Sequence, residues 1–141
     1  MDLSIDWIPN KDLNSIAELL ASLNEGKNTH DMHPIIAELQ KRNYRCVGVI
    51  TEGKLIGICG VWPLYKHYVG KHIEVDNVTI DKGYRNLKIG ESMIAFVEKW
   101  AVSEGFKAIE LNAYVKNEAA HRFWGKVGFK NLGFHMRRNL E

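Results

Sequence analysis

Residues 76–90, DNVTIDKGYRNLKIG, contain the transition that decides the fold of this chain. Residues 77–80 are rich in β-branched side chains, as a strand requires, and Asp81, Lys82 and Gly83 end that strand. Apolar residues then recur at helical spacing, at positions 89, 93, 97, 100 and 101. This pattern predicts a strand that leads through a short loop into a helix.

The loop between this strand and this helix has the chemistry of an anion-binding site. The first N–H groups of a helix lack carbonyl partners, and the peptide dipoles place about half a positive charge there. Arg85 and Lys88 add positive charge nearby. The residues match neither a P-loop, which needs Gly-Lys-Ser/Thr, nor a three-glycine dinucleotide loop. From these residues alone, a diphosphate site and an ordinary strand–turn–helix with a basic surface are both open.

Two segments resemble the signatures of one protein family. Residues 85–90, RNLKIG, look like the Arg/Gln-x-x-Gly-x-Gly/Ala pyrophosphate loop of the GNAT acetyltransferases, which bind acetyl-coenzyme A. Residues 117–124, NEAAHRFW, with Gly128 and Phe129 after them, resemble the second signature, Asn-x-x-Ala-x-x-Phe-Tyr ending in Gly-Phe. A predicted strand lies between the two segments. The resemblance extends over nearly the whole chain.

The resemblance implies a fold and a co-substrate. The fold would be α/β, with a mixed sheet of six to seven strands, helices on both faces and a V-shaped split between strands 4 and 5. A pantetheine arm would pair with strand backbone in that split. One acetyltransferase domain would cover residues 1–141. Acetyl-CoA would be the co-substrate, with no metal, and the residues that hold it would be Val78, Thr79, Ile80, Arg85, Asn86, Leu87, Lys88, Ile89, Gly90, Glu91, Asn117, Ala120, Phe123 and Trp124.

Hydrophobic periodicity and turn residues predict the order of the elements. A polar loop at residues 25–33 is predicted to join the first two helices, the second of which begins near Asp31 and Pro34. The remaining expectations are strands at residues 3–8, 44–51, 54–62, 71–80 and 108–114, helices at 13–23, 87–104 and from Asn117, and one or two closing strands in residues 129–140. The strand at 108–114 follows a helical crossover and is therefore expected to run parallel to the strand at 71–80.

The two cysteines are predicted to be free thiols that face each other. If Glu52 and Gly53 form the tip of a hairpin, Cys46 and Cys59 fall at opposite positions of the paired strands. Two cysteines do not make a disulfide scaffold.

The composition excludes several classes of protein. Hydrophobic residues at 45% and charged residues at 26% are typical of a soluble globular domain. No apolar run approaches the ~20 residues of a membrane span, and the N-terminus lacks the features of a secretory signal, so a cytoplasmic location is predicted. A net charge of +2 is too small and dispersed to indicate a nucleic-acid partner. The histidines lack metal-ligand spacing and are expected at the surface, namely His30, His33, His67 and His72.

Acetyl transfer to an amine requires a base, because an amine with a pKa of ~10.4 is mostly protonated at neutral pH. Glu74 is the first candidate, since the resemblance places it where related histone acetyltransferases carry a glutamate base. Asp76 shares its strand face and is the alternative. The alternative interpretation of Glu74 is a solvated strand residue that pairs with Lys71 or His72. A backbone N–H near Val78 or Thr79 would stabilise the oxyanion.

Two residues depart from the family pattern. Lys88 replaces the first glycine of the loop, which is harmless if that residue is already helical. Trp124 replaces the tyrosine that many members use as general acid, and an indole N–H does not titrate usefully. Tyr114, at the end of the predicted fifth strand, is an alternative acid. Water is another option, because a thiol with a pKa of ~8.5 gives a tolerable leaving group.

Two functions follow from these residues. The first is an acetyl-CoA-dependent N-acetyltransferase that acts on a primary amine of a small molecule or a peptide. The alternative is a non-catalytic acyl-CoA-binding sensor or regulatory module of the same fold. The acceptor is not readable from the sequence. Candidates for an acidic acceptor pocket are Glu25, Asp31, Glu74 and Asp76, and candidates for an aromatic wall or a homodimer contact are Trp62, Tyr65 and Tyr68.

Overall fold

The computed structural model describes residues 2–141 and has the predicted α/β architecture. Residue contacts divide the chain into two units, one up to Glu110 and one from Leu111 onward. The elements in chain order are β1 (Ser4–Trp7), a 3-10 helix (Asn10–Ile16), α1 (Ala17–Ala21), α2 (Thr29–Gln40), β2 (Arg45–Thr51), β3 (Lys54–Lys66), β4 (Gly70–Ile80), a 3-10 turn (Lys82–Tyr84), α3 (Ile89–Ser103), β5 (Ile109–Leu111) and α4 (Glu118–Lys126). No helix within residues 2–141 has both the length and the apolarity needed to cross a bilayer.

The sheet is mixed, and its strands lie in the order β1-β2-β3-β4-β5. The first four strands are joined as antiparallel neighbours. β5 runs parallel to β4, because Lys107 N donates to Lys71 O and Ile73 N donates to Ala108 O, so that both strands advance together. The predicted mixed α/β fold and the parallel crossover through α3 are therefore confirmed.

The described chain has five strands, fewer than the six or seven expected. Residues 129–141 contain neither strand nor helix. A strand requires a partner that accepts and donates its backbone hydrogen bonds. Four apolar side chains in this tail are 84–94% exposed, namely Leu132, Phe134, Met136 and Leu140.

Helices cover both faces of the central strands. On one face, the 3-10 helix, α1 and α2 pack against Cys46 and Ile58 in a cluster of buried residues that includes Leu13, Ile16, Leu19, Leu20, Met32 and Ile36. The residues that alternate with this set face the other way, towards α3, and are also buried, namely Val47, Val49, Cys59, Val61, Ile73 and Val75. α3 presents Ile89, Met93, Ile94, Val97 and Ala101 to that face. Strands that are apolar on both faces thus obtain cover on both sides, as predicted.

The β2–β3 hairpin turns at Glu52 and Gly53, as predicted, and both residues have positive φ angles, 49° and 75°. This is the combination that a two-residue hairpin turn prefers. A bulge between Val49 and Ile50 then shifts the register by one residue. Cys59 therefore lies opposite Val47, and Cys46 lies opposite Gly60. The prediction that the two thiols face each other is wrong, because a one-residue shift moves a side chain to the other face.

α2 begins earlier than the sequence suggested. Asn28 caps the helix, since Asp31 N donates to its side-chain oxygen at 2.9 Å, and Asp31 Oδ2 accepts from Asn28 N at 2.9 Å. This reciprocal capping box satisfies two donors at the helix start. The predicted loop over residues 25–33 consequently ends at Asn28, and Pro34 lies inside the helix.

Candidate functional site

The loop between β4 and α3 contains two residues in the left-handed conformation. Asn86 has a φ of 67° and Lys88 a φ of 61°. Lys88 is also the N-cap of α3, and its side chain makes no hydrogen bond to the first helical turn. Left-handed residues among right-handed ones turn neighbouring backbone N–H groups to one side, which forms a concave anion-binding nest. The loop and the start of α3 therefore fit a diphosphate.

Lys88 is not helical, contrary to the assumption made for it from the sequence. Its φ of 61° and ψ of 22° place it in the region where a Cβ atom is crowded by the backbone. A glycine would enter this region without that cost. The departure of this chain from the family pattern is therefore a locally strained residue.

Side chains around the loop fix its path. Arg85 Nε donates to Ile80 O at 3.2 Å, which holds the guanidinium beside the end of β4. The Asp81 carboxylate accepts from Gly83 N at 3.1 Å and pairs with Lys54 Nζ at 3.3 Å. These two contacts lower the pKa of Asp81. Ile89 is 2% exposed, so its side chain belongs to the core and only its backbone could meet a ligand.

The other loop and strand residues assigned to the co-substrate differ in exposure. Thr79 is buried, and Val78 and Ile80 are half-buried on the last residues of β4. Leu87 is 50% exposed. Gly90 and Glu91 follow in the first turn of α3, where backbone N–H groups lack helical partners.

β4 carries a bulge next to this loop. Thr79 pairs with Ile58 and Asp76 with Gly60, so β4 has one residue more than β3 between these pairs. Asn77, in the extra stretch, has a φ of 39°. Its Nδ2 donates to the Tyr44 hydroxyl at 2.9 Å. A bulge leaves one residue outside the ladder and changes the direction of the strand.

Glu74 and Asp76 lie on the same face of β4, as predicted. Glu74 is half-buried and sits opposite Trp62. Asp76 is exposed, and both of its oxygens accept hydrogen bonds, Oδ2 from Trp62 Nε1 at 3.2 Å and Oδ1 from Asn77 N at 2.8 Å. Trp62 thus lies opposite Glu74 in the strand register and donates a hydrogen bond to Asp76.

A third carboxylate, which the sequence did not reveal, lies beside this face. Glu110 on β5 accepts from the Tyr68 hydroxyl at 2.7 Å and lies 3.6 Å from His72 Nε2. Tyr68 belongs to the turn that joins β3 to β4. The hydrogen bond to Glu110 raises the pKa of Tyr68, with a smaller contribution from the charge of Glu74. We call Tyr68, His72 and Glu110 the β5 cluster.

His72 is fully buried, contrary to its predicted surface position. Because His72 precedes Glu74 by two residues on β4, the sequence already indicated that the two side chains share a face. Glu110 could be found only from the pairing of β5 with β4. Asp31, suggested for an acidic pocket, instead completes the capping box at the start of α2 by accepting from Asn28 N. Glu25 is exposed in the turn before α2.

No group of three or more metal-ligating side chains is found within residues 2–141.

The second unit contains the remaining predicted residues. Asn117 caps α4, as predicted, by accepting from Ala120 N at 3.0 Å. Trp124 packs against Phe123 and Phe129, with ring centroids 4.8 and 5.4 Å apart. β5 ends at Leu111 rather than at residue 114, so Tyr114 lies beyond the strand and is 81% exposed.

The chain is similar to known acetyltransferases. Residues 13–129 match the model of a family described as acetyltransferase (GNAT) family. An aminoalkylphosphonate N-acetyltransferase of Salmonella typhimurium is 25% identical over 92 residues, which is 64% of this chain and 60% of that protein's length.

Two solved structures share the fold. One is an aminoglycoside acetyltransferase from an uncultured soil metagenomic sample in complex with sisomicin, with a TM-score of 0.84, 19% identity, and coverage of 99% of this chain and 97% of that one. The other is AAC(6')-Iy in complex with a CoA-containing bisubstrate analogue, with a TM-score of 0.79, 14% identity, and coverage of 99% and 100%.

Proposed function

Because this chain belongs to the acetyltransferase (GNAT) family, we propose that it transfers the acetyl group of acetyl-CoA to a primary amine of a small molecule or a peptide. The observation that carries the proposal is the nest formed at Asn86 and Lys88 before α3, which coincides with the pyrophosphate signature. We propose a single acetyltransferase domain, and the family match over residues 13–129 supports it because the match includes parts of both units.

The β4–α3 loop would bind the diphosphate of acetyl-CoA. Its backbone N–H groups and the dipole of α3 would supply donors and positive potential, and Arg85 and Lys88 would add charge. Asn86, Leu87, Ile89, Gly90 and Glu91 would contribute backbone or first-turn contacts. The binding roles of Asn117, Ala120, Phe123 and Trp124 stay predictions that rest on the second signature of the family.

Glu74 would accept the proton of the acceptor ammonium, directly or through water. Its half-buried position on β4, opposite Trp62, supports this role, because a general base must lie within hydrogen-bond reach of the proton that it accepts. Asp76 is the weaker candidate, since Trp62 and Asn77 already donate hydrogen bonds to both of its oxygens.

A backbone N–H near Val78 or Thr79 would stabilise the developing oxyanion. The bulge at Asn77 supports this assignment, because it interrupts the ladder next to these residues. Backbone donors held by a rigid sheet need no reorganisation when charge develops.

The leaving thiolate would be protonated by Tyr114 or by water. Trp124 cannot take this role, because its indole nitrogen only donates. A thiol with a pKa of ~8.5 leaves without an obligatory acid. The absence of a tyrosine at position 124 is also the observation that favours the alternative function, a non-catalytic acyl-CoA-binding sensor or regulatory module.

The test combines binding with turnover. Calorimetry with acetyl-CoA should detect binding, and a thiol-release assay should detect coenzyme A in the presence of a panel of amines, polyamines, aminoglycosides, aminoalkylphosphonates and peptides. Glu74→Gln should lower kcat by about 10²- to 10⁴-fold, the usual contribution of a general base. Acetyl-CoA binding should be retained in that variant, because Glu74 lies outside the phosphate loop.

Asp76→Asn is the matched control for the base. We expect it to lower kcat less than Glu74→Gln, with a rate that keeps the pH dependence of the wild type. Loss of activity in Asp76→Asn alone would reverse the assignment. Tight acetyl-CoA binding without turnover of any amine would support the sensor, and absence of acetyl-CoA binding would contradict both functions.

A further inference from the structure

Three carboxylates follow one face of the sheet at the edge where β4 meets β5. Glu74 and Asp76 occupy alternate positions on β4, about 7 Å apart along the strand. Glu110 is next to His72, which precedes Glu74 by two residues on the same face. The carboxylates therefore extend over about 13 Å of strand, and Lys71, on the opposite face, donates instead to Glu104 O.

At the Glu110 end of this row, one ring nitrogen of His72 lacks a hydrogen-bond partner. His72 Nδ1 lies 2.9 Å from Gly70 O, and because a carbonyl oxygen only accepts, Nδ1 must carry the proton. In the neutral ring, Nε2 is then an acceptor. This atom is buried, has no hydrogen-bond partner, and points towards Glu110 Oε1 at 3.6 Å. His72 Nε2 therefore lacks a donor on the side that faces Glu110, and a buried polar atom without a partner is costly.

The aromatic residues around the row suit a cation. Tyr68 is 57% exposed, donates to Glu110 and lies beside the His72 ring. Trp62 donates to Asp76. Aromatic faces next to carboxylates attract ammonium groups through both charge and the ring quadrupole.

We propose that the acceptor carries a second ammonium group, which Glu110 binds while the reacting amine lies at Glu74. The substrate class is then a diamine or longer polyamine whose two nitrogens can span neighbouring carboxylates. This inference rests on the proposed acetyltransferase function. It argues against an acceptor with an anionic group, such as the substrate named for the Salmonella typhimurium relative, since a phosphonate would meet Glu110 with like charge.

Three acceptors of similar length test the charge requirement. 1,4-Diaminobutane, 1-aminobutane and 2-aminoethylphosphonate present a positive, a neutral and an anionic far end. In the thiol-release assay kcat/KM should fall in that order, with the diamine preferred about tenfold over the monoamine, as expected for one hydrogen bond to a charged group. Equal values for diamine and monoamine, or preference for the phosphonate, would overturn the proposal.

Glu110→Gln tests the residue. It should raise KM for 1,4-diaminobutane about tenfold with little change in kcat, and its effect on the diamine should exceed its effect on the monoamine. Tyr68→Phe removes the hydroxyl that orients Glu110 and should raise the same KM by a smaller factor. Glu98→Gln, an exposed position on α3, removes one negative charge elsewhere and is the matched control. Equal effects of Glu110→Gln and Glu98→Gln on the diamine would contradict the assignment.

A binding measurement separates this inference from the proposed function. Calorimetric titration of 1,4-diaminobutane into the full chain saturated with coenzyme A requires no turnover. If the protein acetylates no amine but binds 1,4-diaminobutane, and Glu110→Gln weakens that binding, the cation site is supported and the acetyltransferase proposal fails. Turnover of other amines, with no diamine binding and no effect of Glu110→Gln, would support the proposed function and overturn the cation site.

Discussion

At the scale of single residues, Lys88 combines a charge that suits a diphosphate with a conformation that suits glycine. Its φ of 61° is the left-handed region that side chains with a Cβ atom enter at a cost of about 1 kcal/mol or more. The side chain therefore contributes positive potential at the expense of local stability. Substitutions at position 88 separate the conformational cost of the left-handed backbone from the effect of the lysine charge.

Lys88→Gly should raise the free energy of unfolding by up to about 1 kcal/mol relative to Lys88→Ala, because only glycine removes the Cβ atom. Urea unfolding of the two variants measures this difference. Because both variants lack the lysine charge, the loss of that charge does not contribute to it. Both variants should bind acetyl-CoA more weakly than the wild type, because both lose the ammonium group. Equal stability of the two variants would show that the left-handed conformation is not maintained in solution.

The sequence offered some residues of the candidate site and not others for a physical reason. Arg85, Lys88 and Glu74 belong to one continuous strand–loop–helix segment, so local pattern and signature were enough to propose them. Glu110 joins them only through the register of a parallel strand pair. Register depends on backbone pairing between distant parts of the chain, which a single sequence does not display.

At the scale of elements, the β4 bulge depends on a glycine in the neighbouring strand. A Cβ atom on Gly60 would lie 2.5 Å from the Tyr44 hydroxyl oxygen and would also collide with Asn77 Oδ1. Gly60 therefore leaves the space in which the Tyr44–Asn77 hydrogen bonds form. These contacts hold the bulge beside Asp76 and Val78.

Gly60→Ala should lower the free energy of unfolding by about 1–3 kcal/mol, the usual cost of overpacking. It should also lower kcat in the protein that remains folded, because the bulge positions the proposed oxyanion donor. Gly57→Ala is the matched control on the same strand, since its Cβ atom would come within 3.0 Å of the flexible end of Ile80 and would otherwise make ordinary contacts with Val49 at 3.5 Å. Thermal unfolding and thiol release measure the two effects, and equal losses in both variants would contradict a special role for Gly60.

The order of the elements up to α4 was predictable, but the closing strands expected in residues 129–140 are absent and several boundaries differ. Alternation, the Glu52–Gly53 turn and the Asn117 cap are local signals, and each was confirmed. The bulge between Val49 and Ile50 is a shift in the pairing of two strands, and a single sequence does not display strand register. The α2 boundary differs from the prediction because the Asn28–Asp31 capping box begins the helix at Thr29, before Asp31 and Pro34, which the sequence favours as its start.

At the scale of the whole molecule, the two thiols lie on opposite faces of the sheet, one in each part of the core. Cys46 belongs to the core under α1 and α2, and Cys59 faces α3. Both are free and buried. Burial raises the pKa of Cys46 to about 11 and raises that of Cys59 further.

The raised thiol pKa values predict loss of stability at alkaline pH. An unfolded thiol ionises near pH ~8.5, whereas the buried thiols keep their protons, so the native state binds more protons above that pH. The contribution is complete below pH ~8.5 and is lost as the pH rises towards the folded value of Cys46, about 11. Urea midpoints measured between neutral and alkaline pH should therefore fall, and less steeply in Cys46→Ala. An identical slope in that variant would exclude the thiol as the cause.

The strand order also has a consequence for how the chain acquires its fold. Strands β1 to β4 are sequential antiparallel neighbours, whereas β5 reaches β4 only after α3 has crossed the sheet. Contacts between distant residues form late, because closing the intervening loop costs entropy first. Pulse-labelling hydrogen exchange during refolding should therefore protect amides of the β2–β3 hairpin before those of Ile73 and Lys107, which bond across to the other strand segment. Since Glu110 follows that late segment, the third carboxylate would reach its place beside His72 only after the β2–β3 hairpin has formed, and simultaneous protection of both sets of amides would refute this sequence of events.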